Sequence, residues 1–303
     1  MQNPLVSILT VQYNHIEQTI QFLESISQIE YDNYEVVVVD NASTEDATED
    51  LKKVMPKATI IRSEINLGFA GGNNLGLPHC HGELVLFINN DTEVEPDFLA
   101  PLVQLWKSTP NLGMVSPRIQ YYTPKGIVQY AGATELSTFT LRNRSLGFGE
   151  VDNGQYYDTY QTGFIHGAAM LVPASVIRKV GPMESGFFLY YEEYDWCARI
   201  KAAGFDIYFC GESLVYHKES MSVGKASPLK TYYMTRNRIW FAQRNLKGVS
   251  KQLTLLYLYA VALPKQLLLT LFQKRWDLFR AAWRGAMFKP SLYENRNRST
   301  THI

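Results

Sequence analysis

Tyr34-Glu35-Val36-Val37-Val38-Val39-Asp40 places four consecutive β-branched residues directly before a carboxylate. A strand with one wet face alternates apolar and polar residues. An unbroken apolar run belongs instead to a strand buried on both faces, as in a parallel sheet covered by helices. Upstream, Leu5 to Val11 is a second short β-rich run and Ile16 to Ser27 has helical spacing, so the first forty residues read as a βαβ unit. The alternation continues with a helix over Asp46 to Val54, a strand over Thr59 to Ile61, a helix over Gly71 to Leu77 and a buried strand over Glu83 to Asn89. This order predicts an α/β fold: a doubly wound mixed, mainly parallel sheet with helices on both faces. Ligands of such sheets bind beyond the carboxyl ends of the strands, where Asp40 and Asp91 stand.

The 303 residues are 46% apolar and 19% charged, which excludes a disordered chain and allows one large domain with an appendage. The net charge of zero conceals a division. Met1 to Glu219 holds 27 acids against 14 Lys and Arg, whereas Ser220 to Tyr293 holds 13 Lys and Arg and a single acid, Asp277. Such asymmetry implies a body that does chemistry and a tail that meets something anionic. Cys80, Cys197 and Cys210 show no CxxC spacing and read as reduced, buried thiols. The opening Met1 to Asn14 has no basic residue before its apolar run, so it reads as a first strand rather than a signal peptide, and the body is expected in the cytoplasm.

Three segments carry candidate chemistry. Asp40 at a strand end suits the ring N–H of a uracil or thymine base, while capping of the next helix by Asn41 or Ser43 is the simpler reading. Asn66-Leu-Gly68-Phe-Ala-Gly71-Gly72-Asn73-Asn74-Leu-Gly76 lets backbone approach a ligand closely and offers amide donors. It is neither GxGxxG nor a Walker loop, which argues against a dinucleotide-dependent oxidoreductase. Phe87-Ile-Asn89-Asn90-Asp91-Thr-Glu-Val-Glu-Pro96-Asp97 delivers oxygen ligands from a buried strand and then a proline-marked helix start, a pattern suited to Mg²⁺ or Mn²⁺.

In this order and spacing, VSILTVQYN, VVVVDNAS, NLGFAGGNNLG and NNDTEVEPDFL resemble the family 2 glycosyltransferases of GT-A fold, especially their bacterial rhamnosyltransferase-like branch. The resemblance implies that Asp40 contacts the donor base, with Val11, Tyr13, Asn41, Asn66, Gly68, Asn74 and Asn90 also at the donor. It makes Asn89 and Asp91 the counterpart of the DxD motif, with Asp91 the main ligand of a divalent cation (Mn²⁺ or Mg²⁺). Asn89 in place of Asp leaves that site one negative charge short. A strand over Gly167 to Pro173 and a helix over Ala174 to Val180 precede Tyr190-Tyr-Glu192-Glu193-Tyr-Asp195, which matches the family's acidic cluster at a helix start. By position Glu193 is the general base and Asp195 positions the acceptor or the helix, although acids in a first turn also answer the helix dipole. His217, after a strand-like run from Phe205 to Phe209 and a short turn, matches the family's metal-site histidine; imidazole favours Mn²⁺.

The activity so implied is an inverting transfer from a nucleotide-diphosphate sugar, dTDP-L-rhamnose or a UDP-hexose, to a cell-surface polysaccharide or lipid-linked glycan. A non-catalytic nucleotide-sugar binding module is the competing reading. The expected domains are 1–222 (nucleotide half 1–118, acceptor half 119–222), a basic helical region 223–293 and a tail 294–303. The stretch between Gln120 and Gly163 is expected to shape the acceptor cleft and sugar specificity. Leu253 to Phe272 is as long as a membrane span, but Pro264, Lys265 and Gln266 are expected to break it. The region 223–293 is therefore expected to lie on the inner face of the cell membrane, with Lys274, Arg275, Arg280, Arg284 and Lys289 toward anionic lipid and Trp276, Trp283 and Phe288 at the headgroups. The alternative is packing on the catalytic domain or in a homo-oligomer. No nucleic-acid motif is present.

Overall fold

The computed structural model describes residues 3–219 and 227–289. It divides the chain into two compact units: Met1–Glu135, Asn143–Phe188 and Glu192–Ser220 form the first, and Leu136–Arg142, Leu189–Tyr191 and Met221–Ile303 the second. Two short segments from within the sequence of the body thus group with the C-terminal region.

The first unit opens with β1 (Val6–Gln12), α1 (Ile16–Ile26), β2 (Tyr34–Asp40), α2 (Thr48–Val54), β3 (Thr59–Arg62), α3 (Gly68–Gly76), β4 (Leu84–Ile88), β5 (Thr92–Val94) and α4 (Leu99–Ser108). It continues with β6 (Leu112–Tyr121), β7 (Val128–Tyr130), β8 (Thr159–Gln161), β9 (Ala169–Pro173), α5 (Ala174–Val180), α6 (Glu192–Ala202) and β10 (Asp206–His217). The sheet order is β3-β2-β1-β4-β9-β6-β10-β5, with β7 on β6 and β8 on β10. The strands β3, β2, β1 and β4 run parallel, as the Val36 to Val39 run requires. Beyond β4 the sheet is mixed, because β9 runs antiparallel to both β4 and β6 while β6 and β10 are parallel. One core lies on each face: Ile8, Val36, Val38, Leu84 and Leu86 point to one, and Leu9, Val37, Val39, Val85 and Phe87 to the other.

Several elements differ from the sequence expectation. The strand ending at Phe209 continues as β10 to His217, bulged between Cys210 and Leu214, where a turn was expected. After Asp91 the chain first adds the short strand β5, so the helix begins at Leu99, beyond Pro96. Neither Asn41 nor Ser43 caps α2: its N-cap is Ala47, with no side-chain hydrogen bond. Cys197 and Cys210 are buried and Cys80 half-buried, all as free thiols. Burial pushes Cys80 and Cys197 up to about 12, so neither is a thiolate near neutrality.

The second unit contains α7 (Pro228–Asn245), α8 (Gly248–Tyr257), α9 (Leu263–Phe272) and α10 (Trp276–Ala286). A π-helical turn, Leu258–Ala262, joins α8 to α9, so Gly248–Phe272 is one helix of 25 residues. The expected break at Pro264 is absent. Proline lacks the N–H for the carbonyl one turn back and its ring crowds that carbonyl; the wider turn just before it absorbs both defects. The α10 face formed by Ala281, Ala282, Gly285 and Ala286 is buried. Gly285 lies so close to the Tyr232 carbonyl and the Arg236 amide of α7 that a side chain there would force the helices apart.

Candidate active site

Asp91 lies in the short turn between β4 and β5, immediately before Thr92, and the antiparallel pairing of β5 with β10 sets Thr92 opposite His217. That register brings Asp91 beside His217, far apart in the sequence. His217 Nε2 stands 3.2 Å from Asp91 Oδ1 and 3.4 Å from the Asn89 amide nitrogen. The other ring nitrogen, Nδ1, is 2.8 Å from Gln129 Oε1, a carbonyl oxygen that can only accept. The network therefore assigns the ring proton to Nδ1 and leaves Nε2 as the lone pair that receives the Asn89 N–H. Asp91 Oδ1 is buried and has no hydrogen-bond partner among the described residues.

Two buried lone-pair atoms so close together are unfavourable unless a positive charge lies between them. A divalent cation fits this donor set, with the Asn89 amide oxygen as the third ligand, a neutral one, once the amide turns. No group of three or more His, Cys, Asp or Glu suited to a metal gathers among the described residues, so remaining positions would fall to a ligand's own oxygens. Burial raises the Asp91 carboxyl, but a His217 ring that carries a second proton, at Nε2, and the Lys218 ammonium outweigh that and hold it below its ordinary value; a cation between the two atoms would take that proton's place. His166 packs edge-on to His217, ring centres 5.9 Å apart. Burial first, and then His217, lower His166 from 6.5 to about 3, so its ring is neutral.

A second group of expected residues meets at the ends of β1 and β2, where Gln12 is paired with Asp40. Asp40 is buried; its Oδ1 accepts the Ser43 N–H at 2.9 Å. Arg62 Nη1 lies 3.3 Å from Oδ2 but out of line for a hydrogen bond, which leaves that oxygen able to accept one. Asn41 donates to Asn66 Oδ1 and to the Gly68 carbonyl, both at 3.1 Å, and accepts the Leu67 N–H at 2.9 Å. Its amide thus ties the glycine-rich loop to the end of β2. Gly68 has φ +71, and a side chain there would strike the Phe188 carbonyl and ring. Val11 lies under the loop, 2.9 Å from where a Gly72 side chain would begin, and Tyr13 is exposed beyond the strand end.

Two residues expected at the donor also make hydrogen bonds within the protein. The Asn74 amide donates to the Met183 carbonyl at 2.8 Å, and the Asn90 amide to Thr19 Oγ1 at 2.9 Å. These bonds brace the loop and α1 respectively and leave the Asn74 amide oxygen without a hydrogen bond among the described residues.

Glu193 and Asp195 share the first turn of α6 with Glu192. Trp196 fixes the helix over the sheet, its ring 5.1 Å from and perpendicular to Phe87 of β4, and its Nε1 donates to the Gly181 carbonyl at 3.0 Å. Asp195 is fully buried and accepts from Arg199 Nε at 2.7 Å. The remaining Arg199 nitrogens hold the Val180 and Pro182 carbonyls at 3.0 and 2.8 Å. Asp195 thus orients the arginine that pins α6, whereas Glu193 is only half-buried. Next to Glu193, Tyr194 stacks on Phe164 with ring centres 3.9 Å apart. The strip Phe164-Ile165-His166 therefore runs from α6 to the His217 cluster.

Gln129, His166 and Arg62 escaped the sequence reading. Gln129 carries a usable signal: it is the polar residue within the otherwise apolar buried run Val128 to Ala131.

A family model described as glycosyl transferase family 2 matches residues 7–181. The chain belongs to this glycosyltransferase family. Among curated relatives, the low-salt glycan biosynthesis hexosyltransferase of Haloferax volcanii is 29% identical over 240 residues, covering 77% of this chain and 74% of that protein. A mannosyltransferase from Pyrobaculum calidifontis, solved with GDP-Man and Mn²⁺, superposes with TM-score 0.59 at 17% identity, covering 99% of this chain and 81% of that one. GalNAc-T7, solved with UDP, GalNAc and Mn²⁺, gives TM-score 0.63 at 14% identity over 86% of this chain and 56% of that one. At these identities the two structures establish the GT-A fold, and the family match establishes a glycosyltransferase.

Proposed function

We propose that this glycosyltransferase moves a hexose from a nucleoside diphosphate sugar, dTDP-L-rhamnose or a UDP-hexose, to a hydroxyl of a cell-surface polysaccharide or lipid-linked glycan, inverting the anomeric centre. The observation that carries it is the Asn89, Asp91 and His217 cluster beyond β4, ordered by Gln129, with a buried Asp91 oxygen that no hydrogen bond satisfies among the described residues. The Haloferax relative's name, a hexosyltransferase of glycan biosynthesis, supports the sugar and acceptor class.

Asp40 Oδ2 accepts the imide N–H of a uracil or thymine base, while Asn41 holds the glycine-rich loop against the donor. Asp91, His217 and Asn89 hold a divalent cation, Mn²⁺ or Mg²⁺, which when bound neutralises the charge that develops on the departing diphosphate. Glu193 takes the proton from the attacking hydroxyl, and attack opposite the leaving group inverts the centre in a single displacement. Asp195, through Arg199, keeps the first turn of α6 in place for that proton transfer.

The test is release of nucleoside diphosphate across UDP-, dTDP- and GDP-sugars, with and without Mn²⁺ or Mg²⁺, with lipid-linked acceptors supplied. The expected result is metal-dependent turnover with one donor, reduced ~10²- to 10⁴-fold in Glu193→Gln with donor binding retained. In Asp91→Ala the metal-dependent part of donor binding is lost as well. Donor binding without turnover in the unmodified protein would overturn the enzymatic reading in favour of a nucleotide-sugar binding module.

A further inference from the structure

The helix Gly248–Phe272 leaves a broad apolar face exposed and turns polar residues inward beside the buried Leu258. Val249, Leu253, Leu256, Val261, Leu268, Leu269 and Phe272 are exposed, Leu256 at 64% and Phe272 at 83%. Its inward residues include Thr254 and Thr270, both buried, and Gln266. Thr254 Oγ1 donates to the Thr138 carbonyl, Gln266 exchanges hydrogen bonds with Thr235 Oγ1 of α7, and Thr270 Oγ1 donates to the Leu267 carbonyl. A helix covering a water-soluble core shows the opposite arrangement. Only 17% of its most apolar window is buried, so the protein itself covers little of this face.

Charge identifies what does. Lys247, Lys265, Lys274, Arg280, Arg284 and Lys289 are all exposed in the same unit. The one acid among residues 220–293, Asp277, is already paired with Arg275 at 2.7 Å. A second copy of this face would bring like charges together with no acid to answer them. Trp276 and Trp283 are exposed at 62% and 51%, as residues that seat at headgroup level would be. Phe288 is not among them: its ring lies 4.8 Å from the Arg236 guanidinium and 5.9 Å from Trp240, so it packs inward.

We propose that Gly248–Ala286 is a docking surface for an anionic phospholipid bilayer, with the helix Gly248–Phe272 lying in the plane of the interface. At 25 residues it is about 37 Å long, enough to cross. Its inward side carries Thr254, Gln266 and Thr270 as well as Leu258, and Lys265 is exposed close to the exposed Leu268 and Leu269. A helix of this character rests at the headgroup boundary and does not span the bilayer. This surface is independent of the catalytic reading and would place the enzyme at the inner face of the membrane.

The test is flotation of the full-length protein with vesicles of neutral phosphatidylcholine alone or with 30% phosphatidylglycerol (an experimental choice of about one anionic lipid in three). The expected result is recovery with the anionic vesicles, lowered by high salt. Leu256→Glu combined with Phe272→Glu abolishes it, and each of Arg280→Gln and Arg284→Gln lowers it about fivefold. All four positions are exposed, so near-ultraviolet circular dichroism of each variant should match the parent. Three outcomes overturn the proposal: no vesicle recovery, recovery that survives alkaline extraction, as a spanning helix would, or a dimer in sedimentation that Leu256→Glu dissociates.

Discussion

His217 is held by three different chemistries: an acceptor at Nδ1, an amide donor at Nε2 and a carboxylate across the gap. The neutral His166 ring beside it carries a pH consequence. In the unfolded chain His166 binds a proton below its ordinary 6.5, whereas in the folded protein burial delays this to about 3. Between those values the unfolded state holds more protons, so stability falls as pH falls and is fully present above 6.5. Urea unfolding should show a loss of about 2 kcal/mol between roughly pH 6.5 and 4.5. His166→Gln should flatten this slope, and an unchanged slope would mean the ring is not held neutral. Asp91 and Glu35, both lowered, act in a window below their ordinary values of 3.8 and 4.5, so they do not imitate the effect. The Asp91 half of the cluster was legible because a hydrophobic run delivers it to a strand end. His217 could be matched only through a family pattern, and Gln129 and His166 were missed, because three-residue strands and a bulged register create their proximity and local periodicity does not encode those.

At the scale of elements, α6 separates two acids that the sequence alone reads as a pair. Asp195 is buried against Arg199, and breaking a buried ion pair leaves the remaining charge uncompensated. Asp195→Asn should cost about 2 to 3 kcal/mol of stability, below the full penalty for a lost buried pair because Arg199 keeps the Val180 and Pro182 carbonyls. Glu193→Gln should leave the melting temperature within about a degree and reduce turnover ~10²-fold or more. Thermal melts and steady-state rates on the same two variants separate the roles; a stability loss at Glu193 with activity intact would reverse the assignment. The helix itself was legible from its acidic first turn. Its three left-handed predecessors, Phe188, Tyr190 and Tyr191 at φ +65, +68 and +75, were not, since aromatic residues carry no preference for that region. Asn237 holds the Leu189 and Tyr190 carbonyls at 2.9 and 2.7 Å, a tertiary contact that no local pattern announces.

At the scale of the molecule, the charge division makes the two binding events respond oppositely to salt. The sequence up to Glu219 carries 27 acids against 14 Lys and Arg, so a diphosphate nears it against long-range repulsion and binds through a local cation and neutral amides. Screening at ~0.1 M salt already reaches within about 10 Å, and more salt weakens that repulsion further. The region from Ser220 to Tyr293, with 13 Lys and Arg, attracts anionic lipid, and screening removes that attraction. Raising salt from ~0.05 to ~0.5 M should therefore lower anionic-vesicle recovery by about tenfold or more while the Mn²⁺-supported nucleotide Kd moves by less than about threefold. Calorimetric titration and flotation on the same full-length preparation make the comparison. If nucleotide affinity fell in parallel with vesicle binding, the diphosphate would be held by lysines and arginines of the basic region, and the Asp91 and His217 cluster would lose its place as the donor site.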